Sequence, residues 1–196
     1  QAMPLLYLGQ LSETLGLGGQ GLIRTRVAQA VDKVLTRQSS NGSFGLWYAG
    51  SGDFWLDAYV SDFLSRARAE GIEVPDTAFR MAMDNLRNRV NYHPDFDEGG
   101  HDLAYALMVL AREGAAAMGD LRYYADVKGG AFTTPLAAAQ LGTALASYGD
   151  QTRADAMFAR AARMLEGLPG EDAPLLRADY GSNLRDAAGV LSLAVE

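Results

Sequence analysis

Cysteine is absent from the 196 residues, which excludes disulfide frameworks, thiol nucleophiles, iron–sulfur clusters and thiolate zinc sites and leaves the redox compartment open. Histidine occurs twice, as His93 and His101, so imidazole metal chemistry has little to work with. Positive charge is in deficit: 17 Lys and Arg stand against 24 Asp and Glu, a net charge of −7, which argues against a phosphate-tracking surface and against nucleic acid as a partner. Long apolar runs are missing too. The longest, such as 103–111, fall well short of the roughly 20 residues that cross a bilayer, and no membrane contact by this domain is expected. The opening Gln1-Ala2-Met3-Pro4-Leu5-Leu6 has neither the basic stretch nor the small-residue cleavage site of a signal peptide.

Hydrophobic residues make up 48% of the chain and charged residues 21%, enough apolar surface to order a single domain over 1–196. Apolar residues recur at helical spacing and strand-like alternation is scarce, so the expected fold is all-α. The periodicity predicts helices at 4–15, 20–38, 54–70, 76–91, 101–114, 119–126, 134–148, 151–166 and 183–195. Gly71, Pro75, Gly114 and Gly149 punctuate them, with Asp76 and Asp150 placed as N-caps. Short connections make consecutive helices antiparallel hairpins, with a repeat of about 40–50 residues of the kind found in helical-repeat and toroid architectures. Trp55, Tyr59, Phe63 and Leu64 form one stripe, read as a buried aromatic face, with Asp57, Ser61, Arg66 and Arg68 elsewhere. The helices at 103–112 and 136–146 carry Ala and Leu on several faces, which suits packing on two sides. At the C-terminus an apolar pattern (Leu184, Ala187, Ala188, Leu191, Val195) stops without a capping Gly or Pro, and both ends read as cuts from a larger protein.

Acids and a histidine crowd together at Asp95, Asp97, Glu98, His101 and Asp102. Their spacing does not fit an EF-hand loop, and the default reading is negative charge at a helix N-terminus; no metal and no cofactor are expected. His101 could act as a base or nucleophile near neutral pH, or be a satisfied structural histidine. Serine elbows, His-Glu-x-x-His and phosphate-cradling glycine loops are missing, and no catalytic residue is assigned. Trp47, Trp55, Tyr59 and Phe63 are read as core, with a cavity lining as the alternative.

The segment Arg37-Gln38-Ser39-Ser40-Asn41-Gly42-Ser43-Phe44-Gly45-Leu46-Trp47, followed by Phe54-Trp55-Leu56-Asp57-Ala58-Tyr59-Val60-Ser61-Asp62-Phe63-Leu64, resembles the thioester domain of bacterial alpha-2-macroglobulins. The likeness continues through Ala104-Tyr105-Ala106-Leu107-Met108-Val109-Leu110-Ala111-Arg112, Pro135-Leu136-Ala137-Ala138-Ala139-Gln140-Leu141 and Gly181-Ser182-Asn183-Leu184-Arg185-Asp186-Ala187. It spans nearly the whole chain in the family's order. The resemblance implies an α/α toroid, similar to terpene cyclases and prenyltransferase β subunits, and a bacterial periplasmic or envelope setting. It also implies part of a broad-spectrum protease inhibitor, not an enzyme. In that family a protease cuts a bait region, and a thioester of a Cys-x-Glu-Gln motif captures it covalently. This chain has no cysteine; in the family the motif lies a few residues before the stretch matching Pro4–Leu8, so the thioester Cys and Gln are expected outside the chain and Gln1 is not the thioester glutamine. The implied partners are target proteases, through the full-length parent, and other domains of the same chain. In complement members a histidine from a helical loop redirects the released acyl group, and His101 falls in a broadly comparable stretch. Phe44, Trp47, Trp55 and Tyr59 would then pack a preceding helix of the toroid.

Two other readings compete. The segment 38–47 is also similar to the Gln-to-Trp repeats of terpene cyclases, whose chemistry needs acids facing a large cavity; a helical-repeat interaction scaffold would need no reactive group. Because a closed toroid needs more helices than this chain supplies, apolar faces around Leu5, Leu6, Leu8, Leu184, Leu191 and Val195 are expected to be uncovered and to promote self-association.

Overall fold

The computed structural model describes residues 3–15, 19–50, 52–168, 177 and 179–195. The described residues form nine α-helices: α1 (Met3–Thr14), α2 (Gln20–Leu35), α3 (Phe54–Ala69), α4 (Asp76–Asn91), α5 (His101–Arg112), α6 (Met118–Asp126), α7 (Pro135–Ser147), α8 (Gln151–Glu166) and α9 (Asn183–Val195). A 3₁₀ turn, Gly129–Ala131, precedes α7, and among the described residues there is no strand beyond two isolated bridges, so the fold is all-α. None of these helices is long and apolar enough to cross a membrane. The helix bounds follow the periodicity closely except at the end of α2, which stops at Leu35 instead of residue 38. There the backbone tightens, with Arg37 and Gln38 N–H groups reaching back to Val34 and Leu35, and Gln38 leaves the helix to bridge Phe44.

Contacts gather the chain into two compact units, Gln1–Leu86 and Arg87–Glu196. In the first unit α1 packs on α2, and both touch α3. Arg24 of α2 donates to the carbonyls of Glu70 and Gly71 at 3.0 Å each, satisfying the open C-terminus of α3. Asp53 caps the other end, accepting the Leu56 N–H. The stripe expected on α3 is corrected: Trp55 and Tyr59 are only partly buried, whereas Asp57 and Ser61 are fully buried beside Phe63 and Leu64. Asp57 is the reason. Its carboxylate accepts from Ser43 Oγ at 3.0 Å, the Phe44 N–H at 2.8 Å and Asn85 Nδ2 at 2.8 Å, so the acid faces inward to hold the 38–53 loop.

In the second unit α7 packs on α8, α5, α9 and α6. Small residues permit this: Ala137, Ala138, Ala139 and Ala144 are buried, and Gly142 lies so close to Phe158 that an added Cβ would sit 3.0 Å from its ring. Thr134 caps α7 by accepting the Ala137 N–H, with Pro135 in the first turn. Every residue from Leu103 to Ala111 on α5 is buried, as its all-round apolar pattern predicts, and each large side chain there contributes about 1.5–3 kcal/mol by leaving water. Of the two aspartates placed as N-caps, Asp150 occupies the N-cap position of α8 and Asp76 does not occupy that of α4. Asp76 is the first residue of α4 and pairs with Arg68 at 2.8 Å, while Asp150 turns its carboxylate to Arg122 and Arg153. Of the residues expected at uncovered faces, Leu8, Leu184, Leu191 and Val195 are exposed, but Leu6 is buried.

Candidate functional site

The loop between α4 and α5, together with the first turn of α5, carries both histidines and the acids singled out above. It leaves α4 through a His93 N–H bond to Val90 and turns back into α5 at Gly99 and Gly100. Gly100 has φ +64°, and a Cβ there would lie 2.7–2.9 Å from the rings of Phe96 and Phe132, so only glycine fits. Phe96 packs edge-on against Phe132, 5.5 Å between centroids, and the Gly99 N–H bonds the Ala131 carbonyl at 2.9 Å. The loop is thus laid against the 3₁₀ turn before α7.

The acids do not converge. Asp95 pairs with Lys128 at 2.6 Å, and Asp97 stands 3.8 Å from the same ammonium, which also donates to the Phe96 carbonyl. Hydrogen bonding to Lys128 holds the Asp95 carboxyl below its ordinary value, and the same bond raises the lysine. Asp102 accepts the Leu103 N–H at 2.8 Å in the first turn of α5. Among the described residues no three His, Asp or Glu side chains are grouped so as to hold a metal ion.

His101 is half-buried, with Nδ1 3.4 Å from Thr134 Oγ1. Because Thr134 Oγ1 already accepts the Ala137 N–H, its own hydrogen is available to the imidazole. Burial lowers the His101 pKa; Asp179, Asp102 and Asp186 act in the opposite sense, and Arg177 reinforces the lowering. The histidine that meets a carboxylate at close range is instead His93. Its Nε2 lies 3.8 Å from Asp102 Oδ1, and this interaction raises its pKa despite burial. Burial alone would raise Asp102; His93 and the Leu103 N–H outweigh it and leave the carboxyl lowered.

A further cluster lies at the start of α9. Arg177 binds Asp179 at 2.6 Å and Asp186 at 2.8 Å, and Arg185 binds both acids. Asp186 is completely buried and Asp179 is 2% exposed. Burial works against the Asp179 charge, but the two arginines prevail and hold its pKa low. Such a network orients chain more than it stabilises it; here it fixes residues 179–186, including Tyr180 at φ 54°, near His101. The alternation of arginine and aspartate over 177–186 was its only signal in the sequence.

The four aromatics do not form one cluster. Trp55 and Tyr59 stack at 5.2 Å and 12°, and Phe44 is 1% exposed in the core. Trp47 stands 83% exposed at the tip of its loop, with Leu46 and Tyr48 beside it. The backbone of that loop is drawn inward, by Asp57 under Phe44 and by Arg37 donating to the Leu46 carbonyl, which leaves the tip side chains pointing out.

No family model matches the chain. Alpha-2-macroglobulin of Escherichia coli (strain K12) is 33% identical over an alignment of 210 positions that takes in 98% of this chain. Two solved structures reproduce the fold. Salmonella alpha-2-macroglobulin reacted with methylamine has a TM-score of 0.81 at 32% identity, covering 98% of this chain and 13% of that one. Trypsin-activated alpha-2-macroglobulin from E. coli has a TM-score of 0.75 at 31% identity, covering 91% and 12%. The chain spans 12% of the length of its E. coli relative. With this identity and this fold shared over almost all of its length, the chain is homologous to one segment of bacterial alpha-2-macroglobulin.

Proposed function

We propose that this chain is part of the thioester domain, an α/α toroid, of a bacterial protease inhibitor of the alpha-2-macroglobulin type. The observation that carries the reading is 33% identity to the E. coli protein over 98% of the chain. The relatives' states, one reacted with methylamine and one activated by trypsin, fit an inhibitor that stores an acyl group, reactive toward amines, and releases it on proteolysis. Within 1–196 no thioester can form, because there is no cysteine; the reactive pair belongs to another stretch of the parent. The role of these helices is then to shelter the acyl group from water, not to turn over a substrate. His101 is the proposed group for redirecting the released acyl group, and its lowered pKa keeps the imidazole neutral, the form that can act as a nucleophile. Target proteases and neighbouring domains of the same polypeptide are the proposed partners, in the periplasm or cell envelope.

The test uses the full-length gene product. Trypsin treatment should yield a covalent protease adduct on denaturing gels, and methylamine pretreatment should release one thiol per molecule and abolish the adduct. A full-length product that releases no thiol and retains no protease would overturn the reading and favour a helical interaction scaffold.

A further inference from the structure

We propose that His93 and Asp102 form a pH-sensitive clasp that closes the loop between α4 and α5. The two side chains stand at opposite ends of that loop, His93 just past α4 and Asp102 in the first turn of α5. The ring is tightly placed: its side chain is 12% exposed, and it meets Phe96 edge-on at 5.4 Å. The groups facing its two nitrogens favour one charge state. Nδ1 lies 2.8 Å from the Pro94 carbonyl, which can only accept, so Nδ1 carries a proton. Nε2 faces a carboxylate oxygen, which can also only accept, so attraction there needs a proton on Nε2 as well. The closed loop therefore selects the imidazolium. Asp102 cannot easily turn away, because the same oxygen accepts the Leu103 N–H at 2.8 Å.

Asp102 is the carboxylate placed against His93 Nε2. Lys128, beside Phe96, is occupied by Asp95, Asp97 and the Phe96 carbonyl. On α4, Arg89 lies one turn before His93, a cation at every pH of interest. On α5, His101 adjoins Asp102, and burial keeps it neutral in the range where His93 titrates. Loss of the Nε2 proton turns a lone pair toward the carboxylate and converts attraction into repulsion. His93 then releases Phe96, whose ring covers Gly100 and Phe132, and the loop loosens from the 3₁₀ turn. Because the folded His93 pKa is raised, the clasp is closed below the ordinary histidine value of about 6.5 and opens as pH rises through the folded value.

The experiment is an NMR titration of the 196-residue chain, with the two imidazoles assigned through His101→Gln, combined with amide exchange corrected for the intrinsic pH dependence. The expected results are a His93 midpoint above about 6.5 and a fall in protection of the Gly99 amide across that midpoint, about tenfold if the midpoint is raised by one unit. Asp102→Asn should bring the midpoint down and flatten the exchange profile. Should that variant fail to fold, His93→Gln decides: it should make Gly99 protection independent of pH. A His93 midpoint at or below the ordinary value, an Asp102→Asn midpoint that does not move, or Gly99 protection unchanged through the wild-type midpoint would overturn the clasp.

Discussion

Asp57 shows what a single buried acid does in this chain. With no exposed surface, it holds the Phe44 N–H, the Ser43 hydroxyl and the Asn85 amide at once. Removing the acceptor leaves several donors buried without partners, each costing about 1–3 kcal/mol, so Asp57→Ala should destabilise the chain by about 3 kcal/mol or more, read as a lower urea midpoint. Asp57→Asn keeps the shape and one acceptor oxygen and should cost less; equal midpoints for Asp57→Ala and wild type would show that the carboxylate is not the anchor. The two histidines, eight positions apart, should respond to pH with opposite signs. His101 has a lowered folded pKa, so its contribution is complete above the unfolded value of about 6.5 and is lost as pH falls below it. His93 has a raised folded pKa, so its contribution is complete below about 6.5 and is lost as pH rises through the folded value. Urea midpoints at pH 5 and pH 8 check this: His101→Gln should gain on wild type in acid, and His93→Gln should gain on it in base.

At the scale of elements, the loop joining α2 to α3 is built on close approach of backbone to backbone. A Cβ at Gly52 would lie 1.9 Å from the Phe44 carbonyl oxygen, and one at Gly42, where φ is +87°, would lie 2.0 Å from that of Met81. Neither backbone can yield without disturbing the Phe44 N–H bond to Asp57 or α4, so Gly52→Ala and Gly42→Ala should each cost about 1–3 kcal/mol and increase protease cutting within the loop. Calorimetry and limited proteolysis provide the check, with Gly119→Ala, where nothing lies within 4 Å, as the control that changes little. The helices themselves were legible from apolar spacing because that signal is local and repeats every turn. The inward face of α3 was not, since Asp57 is an acid whose burial depends on donors that arrive from 28 residues away (Asn85) and from the preceding loop.

For the whole molecule, the absence of cysteine makes a firm prediction: the 196-residue chain should form no covalent adduct with methylamine or with trypsin, and intact-mass spectrometry after methylamine treatment should return its unmodified mass. On α9, Leu184, Leu191 and Val195 are 79%, 67% and 77% exposed, and side chains at these spacings share a helical face. Large exposed apolar patches find partners, so sedimentation velocity should show association that grows with concentration and is reduced by Leu191→Glu. A single monomeric species at every concentration would show that this face is tolerated in water.

The sequence by itself determined the all-α fold, the order and nearly all the bounds of its helices, the exclusion of thiol chemistry and the resemblance that the comparisons then bore out at the level of homology. Those features depend on residue type and on spacing along the chain, which no packing can alter. Only the tertiary structure decided which polar groups are buried and with whom they pair. It set His93 rather than His101 against Asp102, and it drew Asp95 and Asp97 to Lys128 instead of toward a shared site. It also joined Arg177 and Arg185 to Asp179 and Asp186, and it left Trp47 in solvent while burying Phe44. The physical reason is that a charge or an aromatic ring is placed by the partner that offsets its desolvation, and that partner is chosen by the fold.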